Sequence, residues 1–500
     1  MVDLNLLLNK AALKAQAGQR RLPTQRVLYE LLQAAIAQGR LQAGAALPAS
    51  RELAHDLGVA RNSVIYAYEQ LAAEGYVQSS RQGTFVAAVR PGHLDQHERD
   101  SVVLDSRALL SARVRTCDRR RTPQDDLRPF MPGIPALDAF PMKVWQRLSD
   151  RAARQGESSE LGYRWSTGEP ELRQVIATYL RAARGVRCHP DQVMVTDGTQ
   201  HSLALCAQML ADVGDTVWIE HPGYGGARSA FSQAGLRQVP VTVDAGGIAP
   251  PPMLWQTDTP RLIYTTPSHQ YPLGSVLTLP RRLSLIEQAR QAGAWILEDD
   301  YDSEFRHDGP PLAAMQGQVS DAPVVYLGTF SKSMFPALRL GFIVWPSALA
   351  DRAAGVAGEL IRGGRTIEQR ALAAFIDEGH FTRHLRKMRK LYAERQASLR
   401  DALMRQWPLP GVVLGGQAGL HLVLSLPPDA SGMVSDQAVA RAAYAQGLSP
   451  RPLSMYSTGG IDGFNGLVMG YANTPGHMMQ AHVQTLVAAL GEVVGDRVAS

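Results

Sequence analysis

The chain has 500 residues, too many for one compact domain, and this length predicts roughly two to four domains. A hydrophobic fraction of 45% and a charged fraction of 19% are typical of a folded globular protein and exclude wholesale disorder. The three cysteines form no CxxC pair, which argues against a zinc ribbon or a disulfide scaffold. No apolar run reaches the roughly 18 residues that span a bilayer, so we expect a cytoplasmic protein without a membrane segment. We also expect no metal site.

The net charge of +5 is concentrated in the first quarter of the chain. Residues 1–90 hold 10 Lys and Arg against 6 Asp and Glu, whereas residues 129–500 are balanced, with 33 of each sign. A basic N-terminal part beside a neutral remainder is typical of a polyanion-binding module joined to a second domain. An imbalance of this size also arises by chance, so charge alone does not decide between the two interpretations.

After an extension over residues 1–23, the sequence predicts three short helices. Residues 24–40 have the periodicity of an amphipathic helix, and Ser50 is predicted to be the N-cap of a helix that ends at residue 57. Gly58 supplies a tight turn before a further helix over residues 61–74. Two helices joined in this way are typical of DNA-binding helix-turn-helix motifs.

Polar residues occupy the exposed start of that last helix. Val64, Tyr68 and Leu71 predict its buried face, which leaves Arg61, Asn62 and Ser63 at its N-terminal end, where a recognition helix contacts the major groove. A small hairpin follows, and its tip carries basic and flexible residues that can reach phosphates or the minor groove: Arg81, Gln82 and Gly83.

The pattern LPASRELAHDLGVARNSVIYAYEQLAAEGYV…GTFV resembles the GntR family of winged helix-turn-helix regulators, over residues 24–87. The resemblance implies that double-stranded operator DNA is a partner. Ala60 departs from the family, which often has Ser at that position. The alternative is a helical docking domain with solvated arginines. The residues expected to contact DNA are Arg51, Arg61, Asn62, Ser63, Arg81 and Gly83.

Residues 88–127 are dense in charge and have little apolar periodicity, so they are predicted to form a linker with one helical turn near residues 106–114. Residues 128–500 then alternate short apolar β-rich runs with helical stretches. Buried strands separated by helices predict an α/β domain with a mostly parallel sheet.

One lysine in this domain has unusual neighbours. Lys332 follows an apolar strand, lies among hydroxyl residues and precedes Arg339 by seven positions, in VVYLGTFSKSMFPALRLGFIVWP. A lysine that forms a Schiff base with an aldehyde cofactor must lie at a sheet edge, and a phosphate there needs hydroxyls, an arginine and backbone N–H groups. The hydroxyl residues are Thr329, Ser331 and Ser333.

Further candidates follow other strands of the same domain. The strand AWILEDD ends in Asp299 and Asp300, where a carboxylate can keep a pyridine nitrogen protonated, and Tyr301 can donate to the phenolate oxygen of the ring. A helix that starts directly after a strand offers N–H groups to a phosphate. The other candidates are Gly198, Thr199 and Gln200 at such a helix start, Tyr224 after a strand, and His269 and Gln270 in a polar loop.

In this order these segments resemble the fold-type-I aminotransferases, over roughly residues 128–495. The resemblance implies pyridoxal 5′-phosphate bound as an aldimine to Lys332, with Asp299 at the pyridine nitrogen, Tyr301 near the phenolate oxygen and Tyr224 stacked on the ring. It also implies a phosphate cup made of Gly198, Thr199, Gln200, Thr329, Ser331 and Arg339.

The two modules together resemble the MocR/GabR group of bacterial regulators, and EDDYDSEF, TPSHQYPLG and GTFSKS are closer to that group than to ordinary aminotransferases. The expected function is a pyridoxal-phosphate-dependent transcriptional regulator that senses an amine, an amino acid or the cofactor itself. The resemblance implies a head-to-tail homodimer.

Two alternatives remain open: a working aminotransferase with an appended DNA-binding module, and a GntR regulator with a cofactor-free second domain. Aminotransferases commonly carry a carboxylate-binding arginine near the position of Val468, and Arg451 is the candidate that replaces it. The first cation after Tyr224 is Arg228, so a clamp for the carboxylate of γ-aminobutyrate is not evident.

Overall fold

A computed structural model describes residues 22–88, 111–114, 127–158, 162–307, 309, 312–416, 418–427, 434–458 and 463–498. The chain divides into two compact units, Met1–Asp105 and Ser106–Ser500. Within the described ranges, no helix is long and apolar enough to cross a membrane.

The first unit is a small helical domain with a three-stranded sheet. Its sheet has the order β1-β3-β2, and both pairings are antiparallel. The apolar sides of the three helices and of the sheet form one core, in which Val64, Tyr68 and Leu71 are buried as predicted. Its elements are α1 (Thr24–Ala37), β1 (Ala46–Leu47), α2 (Ser50–Leu57), α3 (Arg61–Ala73), β2 (Val77–Ser80) and β3 (Gly83–Val86).

The prediction that Ser50 is the N-cap of α2 is wrong by one residue. Ala49 occupies the N-cap position and makes no side-chain hydrogen bond, and Ser50 is the first helical residue. The Ser50 hydroxyl instead accepts a hydrogen bond from Arg61 Nε at 3.4 Å. A contact across the helix–turn–helix has therefore taken the place of the local cap that Ser50 was expected to make.

The predicted linker is described at residues 111–114, where Ala112–Val114 forms one turn of 3₁₀ helix. The part of the predicted turn at residues 106–110 lies outside the described residues.

The second unit is an α/β domain built on an eight-stranded sheet of order β4-β11-β10-β9-β8-β5-β6-β7. Six of its strands run parallel to one another, and only β11 and β7 run in the opposite direction. Its strands are β4 (Val193–Thr196), β5 (Thr216–His221), β6 (Arg237–Asp244), β7 (Gly247–Ile248), β8 (Leu262–Thr265), β9 (Trp295–Asp300), β10 (Val324–Thr329) and β11 (Gly341–Val344).

Helices cover both faces of this sheet, as a parallel sheet requires. One face packs against α6, α7 and α10, and the other packs in part against α9. The helices up to this point are α4 (Met142–Arg154), α5 (Pro170–Arg184), α6 (Thr199–Leu210), α7 (Gly225–Gln233), α8 (Leu254–Thr257), α9 (Leu279–Ala292) and α10 (Ser347–Leu360).

The C-terminal part adds a four-stranded antiparallel sheet of order β12-β13-β15-β14. Its apolar residues join those of α4 and α5 in one continuous core. The elements are α11 (Thr366–Asp377), α12 (His380–Gln406), β12 (Val413–Leu414), β13 (His421–Ser425), α13 (Asp436–Ala445), β14 (Arg451–Pro452), β15 (Gly466–Gly470) and α14 (Met479–Val498).

Candidate functional site

A cavity of about 240 Å³ lies at the carboxyl edge of the large sheet. The strands β4, β5, β8, β9 and β10 are parallel and all end there, and open α/β sheets bind ligands at this edge. Residues predicted from separate stretches of sequence therefore meet at one place. Those that line the cavity are Thr199, Gln200, Tyr224, Asp299, Tyr301, Thr329, Ser331, Lys332, Arg339 and Arg451.

The Lys332 amine lies in the wall of the cavity. Lys332 Nζ donates a hydrogen bond to the Gly133 carbonyl at 2.7 Å. Gly133 has a φ of +80°, and a Cβ at that position would lie 3.0 Å from Nζ, so glycine allows the loop to approach the amine. The cavity thus contains the nucleophile that an aldehyde ligand needs for covalent attachment.

The two carboxylates at the end of β9 have different surroundings, because consecutive side chains of a strand point to opposite faces. Asp300 forms a buried ion pair with Arg184 at 2.7 Å and accepts a hydrogen bond from Tyr326. Asp299 lines the cavity, and its Oδ2 accepts a hydrogen bond from Tyr264 at 2.8 Å. Asp300 is therefore held by the framework, and Asp299 is the carboxylate that faces a ligand.

Asp299 Oδ1 is buried and has no hydrogen-bond partner among the described residues. Burial raises the pKa of the Asp299 carboxyl to about 7, since desolvation disfavours its charged form. A buried carboxylate oxygen without a partner is costly unless a ligand supplies a donor. This oxygen fits a protonated ring nitrogen.

The start of α6 forms the opposite end of the cavity. Gly198 is the N-cap of α6 with a φ of +92°, and Thr199 and Gln200 begin the helix. A Cβ at Gly198 would lie 3.9 Å from Arg339 Nη1, which places the Arg339 guanidinium beside the helix start. Backbone N–H groups of a helix N-terminus next to a guanidinium form an anion site.

Two hydroxyl residues and a fixed arginine complete this anion site. Thr329 Oγ1 and Ser331 Oγ lie 3.2 Å apart at the end of β10. Arg339 has a left-handed φ of +52°, and its carbonyl accepts a hydrogen bond from Arg365 at 2.8 Å. Hydroxyls, helix N–H groups and a guanidinium together fit a phosphate group.

His269 lies behind the cavity wall and not in it. Tyr301 lines the cavity, and its hydroxyl is 3.1 Å from His269 Nδ1. The same nitrogen is 3.0 Å from Asp302 Oδ2. His269 was predicted to bind the cofactor, and the structure places it in contact with Tyr301 and Asp302.

Gln270 also belongs to the framework of the site. Its amide donates to the carbonyls of Pro222 at 2.9 Å and Tyr271 at 2.7 Å, and its Oε1 accepts from the Leu273 N–H at 3.0 Å. The residues of this loop that line the cavity are Thr266 and Tyr271, and sequence reasoning missed both. An aromatic residue in a polar loop directly after a strand was the signal that could have identified Tyr271.

Aromatic side chains form the wall near β5. Gln200 Nε2 donates to the Tyr224 hydroxyl at 3.2 Å, and the rings of Tyr224 and Tyr271 meet edge to face at 5.9 Å. The Tyr271 hydroxyl lies 2.9 Å from that of Tyr456, a second lining residue that the sequence analysis did not identify. This wall fits a planar aromatic ligand.

Arg451 enters the cavity from β14. It pairs with Val468 across the antiparallel strands β14 and β15, and side chains opposite each other in such a pair are close neighbours. The nearby His421 is buried, which lowers its pKa to about 3, so this imidazole adds no charge at neutral pH. Arg451 therefore places a positive charge next to Val468, the position at which aminotransferases commonly carry their carboxylate-binding arginine.

The candidate DNA-reading surface lies on the first unit. Arg51 and Arg61 are exposed on α2 and at the start of α3, and Asn62 is exposed beside them, whereas Ser63 is half-buried. Arg81 and Gly83 are exposed at the tip of the β2–β3 hairpin. The three arginines give this surface the positive charge that phosphate contacts need.

Both parts of the chain match known families. The model for bacterial regulatory proteins of the gntR family matches residues 24–86, and the model for aminotransferase class I and II matches residues 136–457. The chain is 41% identical to the probable rhizopine catabolism regulatory protein MocR of Rhizobium meliloti, over 93% of this chain and 94% of that protein. The chain belongs to the MocR-type family of transcriptional regulators.

Two further similarities agree with this assignment. The chain is 31% identical to the HTH-type pyridoxine biosynthesis transcriptional regulator PdxR of Corynebacterium glutamicum, over 90% of this chain and 92% of that protein. It is 26% identical to the solved structure of LysN, the α-aminoadipate aminotransferase of Thermus thermophilus, complexed with N-(5′-phosphopyridoxyl)-L-leucine. That structure aligns with a TM-score of 0.66 over 79% of this chain and 99% of its own.

The expected fold class, function and cofactor are thereby confirmed. The chain is a DNA-binding transcriptional regulator, with a winged helix-turn-helix domain and a fold-type-I aminotransferase-like domain whose cofactor is pyridoxal 5′-phosphate. The cavity fits that cofactor in the described residues, because it offers an amine, a carboxylate oxygen without a partner and an anion site.

We predict that replacing Lys332 with Ala removes covalent cofactor attachment. The purified protein should be yellow, and borohydride reduction should fix the cofactor to Lys332, because its amine is the one that lines the cavity. Lys332→Ala should lose the visible absorption band and keep its circular dichroism spectrum, while the exposed-lysine control Lys143→Ala keeps both. A peptide map with the adduct on another lysine would contradict the assignment.

We predict that Arg61→Ala weakens specific DNA binding by about 1–3 kcal/mol if its guanidinium reads a base. If the contact is to a phosphate, all sequences should weaken together and the salt dependence should decrease by about one counterion. The matched control is Arg40→Ala, which removes another exposed charge, outside α2, α3 and the hairpin. Unchanged affinity and unchanged salt dependence for Arg61→Ala would mean that α3 does not face DNA.

Proposed function

We propose that this regulator detects a small amine, an amino acid or pyridoxal 5′-phosphate itself at Lys332, and that the linker transmits the result to the DNA-reading domain on operator DNA in the cytoplasm. The observation that carries this proposal is the presence of a complete cofactor cavity with an added cation, Arg451, in a DNA-binding regulator. The proposed domains are residues 24–87, 88–127 and 128–500.

The proposed roles of the cofactor residues follow from their surroundings. When bound, pyridoxal 5′-phosphate supplies an aldehyde carbon and an electron-withdrawing ring. Lys332 Nζ is the point of attachment, and Asp299 Oδ1 holds the proton of the ring nitrogen. Tyr301 donates to the phenolate oxygen, and Tyr224 lies on the ring face. The phosphate is bound by Gly198, Thr199, Gln200, Thr329, Ser331 and Arg339.

An amine bound in this cavity beside Lys332 Nζ would have Arg451 as a further lining residue within its reach. Besides Arg451, the residues that line the cavity include Tyr271, Tyr456 and the neutral His421. A guanidinium is suited to bind one carboxylate. The effector class that this cavity supports best is a monocarboxylic amino acid.

We predict that Arg451→Gln weakens the effect of carboxylate-bearing amines by about 10- to 100-fold, the value of one charge-assisted hydrogen bond, and leaves simple amines unchanged. The measurement is the change in the visible absorption spectrum as each amine is added. The control Arg441→Gln removes an exposed arginine of α13. Equal loss for both classes of amine would exclude Arg451 as the carboxylate ligand.

The described part of the linker lies beside two helices that begin at the cavity. Residues 111–114, the linker turn, pack on α7 and line a small pocket together with Gln208 of α6 and Gln233 of α7. Gln233 is the last residue of α7, and its carbonyl accepts a hydrogen bond from Arg113 at 3.4 Å. A cation at a helix C-terminus is favourable, because the terminal carbonyls carry partial negative charge.

Each of these helices thus has one end at the cofactor cavity and the other at the linker turn. The α6 helix begins at Thr199, and Tyr224 is the N-cap of α7. A helix moves as a rigid element, so a shift at its first turn also displaces its last turn. An effector that favours one position of α6 and α7 would change the stability of the linker contact.

We predict that effector binding changes operator affinity by about 5- to 150-fold, or changes the preferred half-site spacing, and that Lys332→Ala abolishes the change. Arg113→Ala should retain cofactor absorption and reduce the change, because it removes the linker contact at α7. The control Arg405→Ala removes an exposed arginine of α12. The measurement is operator binding by protein without cofactor, with cofactor, and with cofactor plus amines.

Two results would contradict the proposal. DNA binding that is indifferent to every cofactor state, together with amino-group transfer at enzyme-like rates, would favour an aminotransferase with an appended DNA-binding module. Full coupling in Arg113→Ala would show that the signal reaches the DNA-reading domain by another route.

A head-to-tail homodimer is part of the proposal. In the large unit Tyr163 and Trp165 are 87% and 55% exposed, and Arg362 lies over the Tyr163 ring at 6.0 Å. Clustered exposed aromatic side chains favour a contact surface for another protein chain. A second copy of this chain would cover them.

A further inference from the structure

Asp302, His269 and Tyr301 form a buried chain of hydrogen-bonding groups that ends at the cavity. His269 Nδ1 lies 3.0 Å from Asp302 Oδ2 and 3.1 Å from the Tyr301 hydroxyl. His269 and Asp302 are 3% and 1% exposed. Only Tyr301 lines the cavity, so the other two can affect a ligand through it.

The surrounding backbone is shaped to hold this chain. A Cβ at Gly419 would lie 2.2 Å from His269 Cε1 and 2.6 Å from Asp302 Oδ2. A Cβ at Gly274 would lie 3.2 Å from His269 Nε2. Both glycines have positive φ, and their missing side chains leave the room that the imidazole occupies. The imidazole is therefore closely confined on two sides.

The contacts determine which nitrogen of His269 carries hydrogen. An ionised Asp302 only accepts hydrogen bonds, so the nitrogen that faces it, Nδ1, must donate. His269 Nε2 is buried without a hydrogen-bond partner among the described residues, and a hydrogen there would be an unpaired donor. The neutral tautomer with hydrogen on Nδ1 satisfies both conditions.

The same hydrogen orients Tyr301. The single Nδ1 hydrogen is directed at Asp302 and leaves no free lone pair on Nδ1, so the Tyr301 hydroxyl cannot donate to this nitrogen and its hydrogen must point elsewhere. We propose that Asp302 and His269 are positioning residues, which hold the Tyr301 hydroxyl so that it donates into the cavity, toward the phenolate oxygen of the cofactor. The proposal rests on the role proposed above for Tyr301.

If Tyr301 donates in this way, the Lys332 nitrogen should have a lower proton affinity when it is joined to the cofactor. A donor to the phenolate oxygen reduces the negative charge that stabilises a proton on this nitrogen. Loss of the donor should therefore raise the pH at which the visible band changes. Other titratable groups near Tyr301 and His269 include Tyr271, His421, Asp299 and Lys332.

The test is a pH titration of the visible absorption of the cofactor-loaded protein with Asp302→Asn. An Asn oxygen accepts from Nδ1–H more weakly than a carboxylate does, and the Asn amide can instead donate to a bare Nδ1, so the tautomer of His269 and the orientation of Tyr301 are no longer fixed. The midpoint should move upward by about one to two pH units, the value of one hydrogen bond to a charged group. Removal of the Asp302 charge alone would move the midpoint downward, so the sign separates the two mechanisms.

Three further variants make the result specific. Asp302→Asn in a Tyr301→Phe background should give no upward shift, because the hydroxyl is absent. His269→Asn should give an upward shift without removing a carboxylate. Glu298→Gln is the matched control, since Glu298 is a buried carboxylate of β9 that binds the N–H groups of Met315 and Gln316. Its midpoint should stay unchanged.

A downward or unchanged midpoint in Asp302→Asn and His269→Asn, with an upward shift in Tyr301→Phe, would overturn the positioning role. An unchanged midpoint in Tyr301→Phe would also overturn the positioning role, because it would show that the Tyr301 hydroxyl does not act on the cofactor. A wild-type protein without a visible band would instead contradict the proposed function.

Discussion

The site depends on one topological constraint, the shared edge at which the parallel strands β4, β5, β8, β9 and β10 end. In sequence the residues after these strands are separated by more than a hundred positions, from Gly198 to Lys332. The sheet brings them together because parallel strands place all their carboxyl ends on one side. The antiparallel β11 begins at the same edge, where Gly341 pairs with both Thr329 and Thr196. Arg339 is thereby brought to that edge from the residues just before a strand.

Strand order then separates the two chemical ends of the cavity. The adjacent strands β4, β11 and β10 carry the anion site, and β9 carries the carboxylate Asp299. Burial raises the Asp299 pKa to about 7. The folded protein therefore binds this proton where the unfolded chain does not, and its stability falls as pH rises from the ordinary aspartate range toward 7. A cationic ring nitrogen beside Oδ1 would oppose this loss, so cofactor binding and stability should be linked.

Much of this arrangement could be predicted from sequence. The helices of the first unit and the strand ends that carry Lys332, Asp299 and Tyr224 follow from local patterns of apolar, turn and polar residues. The assignment of Asp299 rather than Asp300 came from resemblance, and the structure gives it a physical reason in the ion pair of Asp300 with Arg184.

What sequence reasoning missed depends on contacts between distant segments. Ser50 has the chemistry of a cap, but Arg61 takes its hydroxyl. Tyr271 and Tyr456 are 185 positions apart and meet only in the folded domain. Asp302 gave no local signal, because its partner His269 lies in another loop. The pairing of Arg451 with Val468 likewise requires the register of two strands, which periodicity alone does not determine.

If effector binding is transmitted from the cavity to the linker turn, as proposed, the contact of that turn with α7 can have only limited strength. An effector shifts an equilibrium only by the difference in its affinity for the two states, and such coupling typically amounts to about 1–3 kcal/mol. A charge at a helix terminus contributes about 0.3–1 kcal/mol, so the Arg113 contact with Gln233 lies within the range that an effector can break. A much stronger contact would keep the linker turn in place whatever occupied the cavity. A regulator of this construction therefore needs a weak contact at the far end of α7, and tightly held groups at the start of that helix.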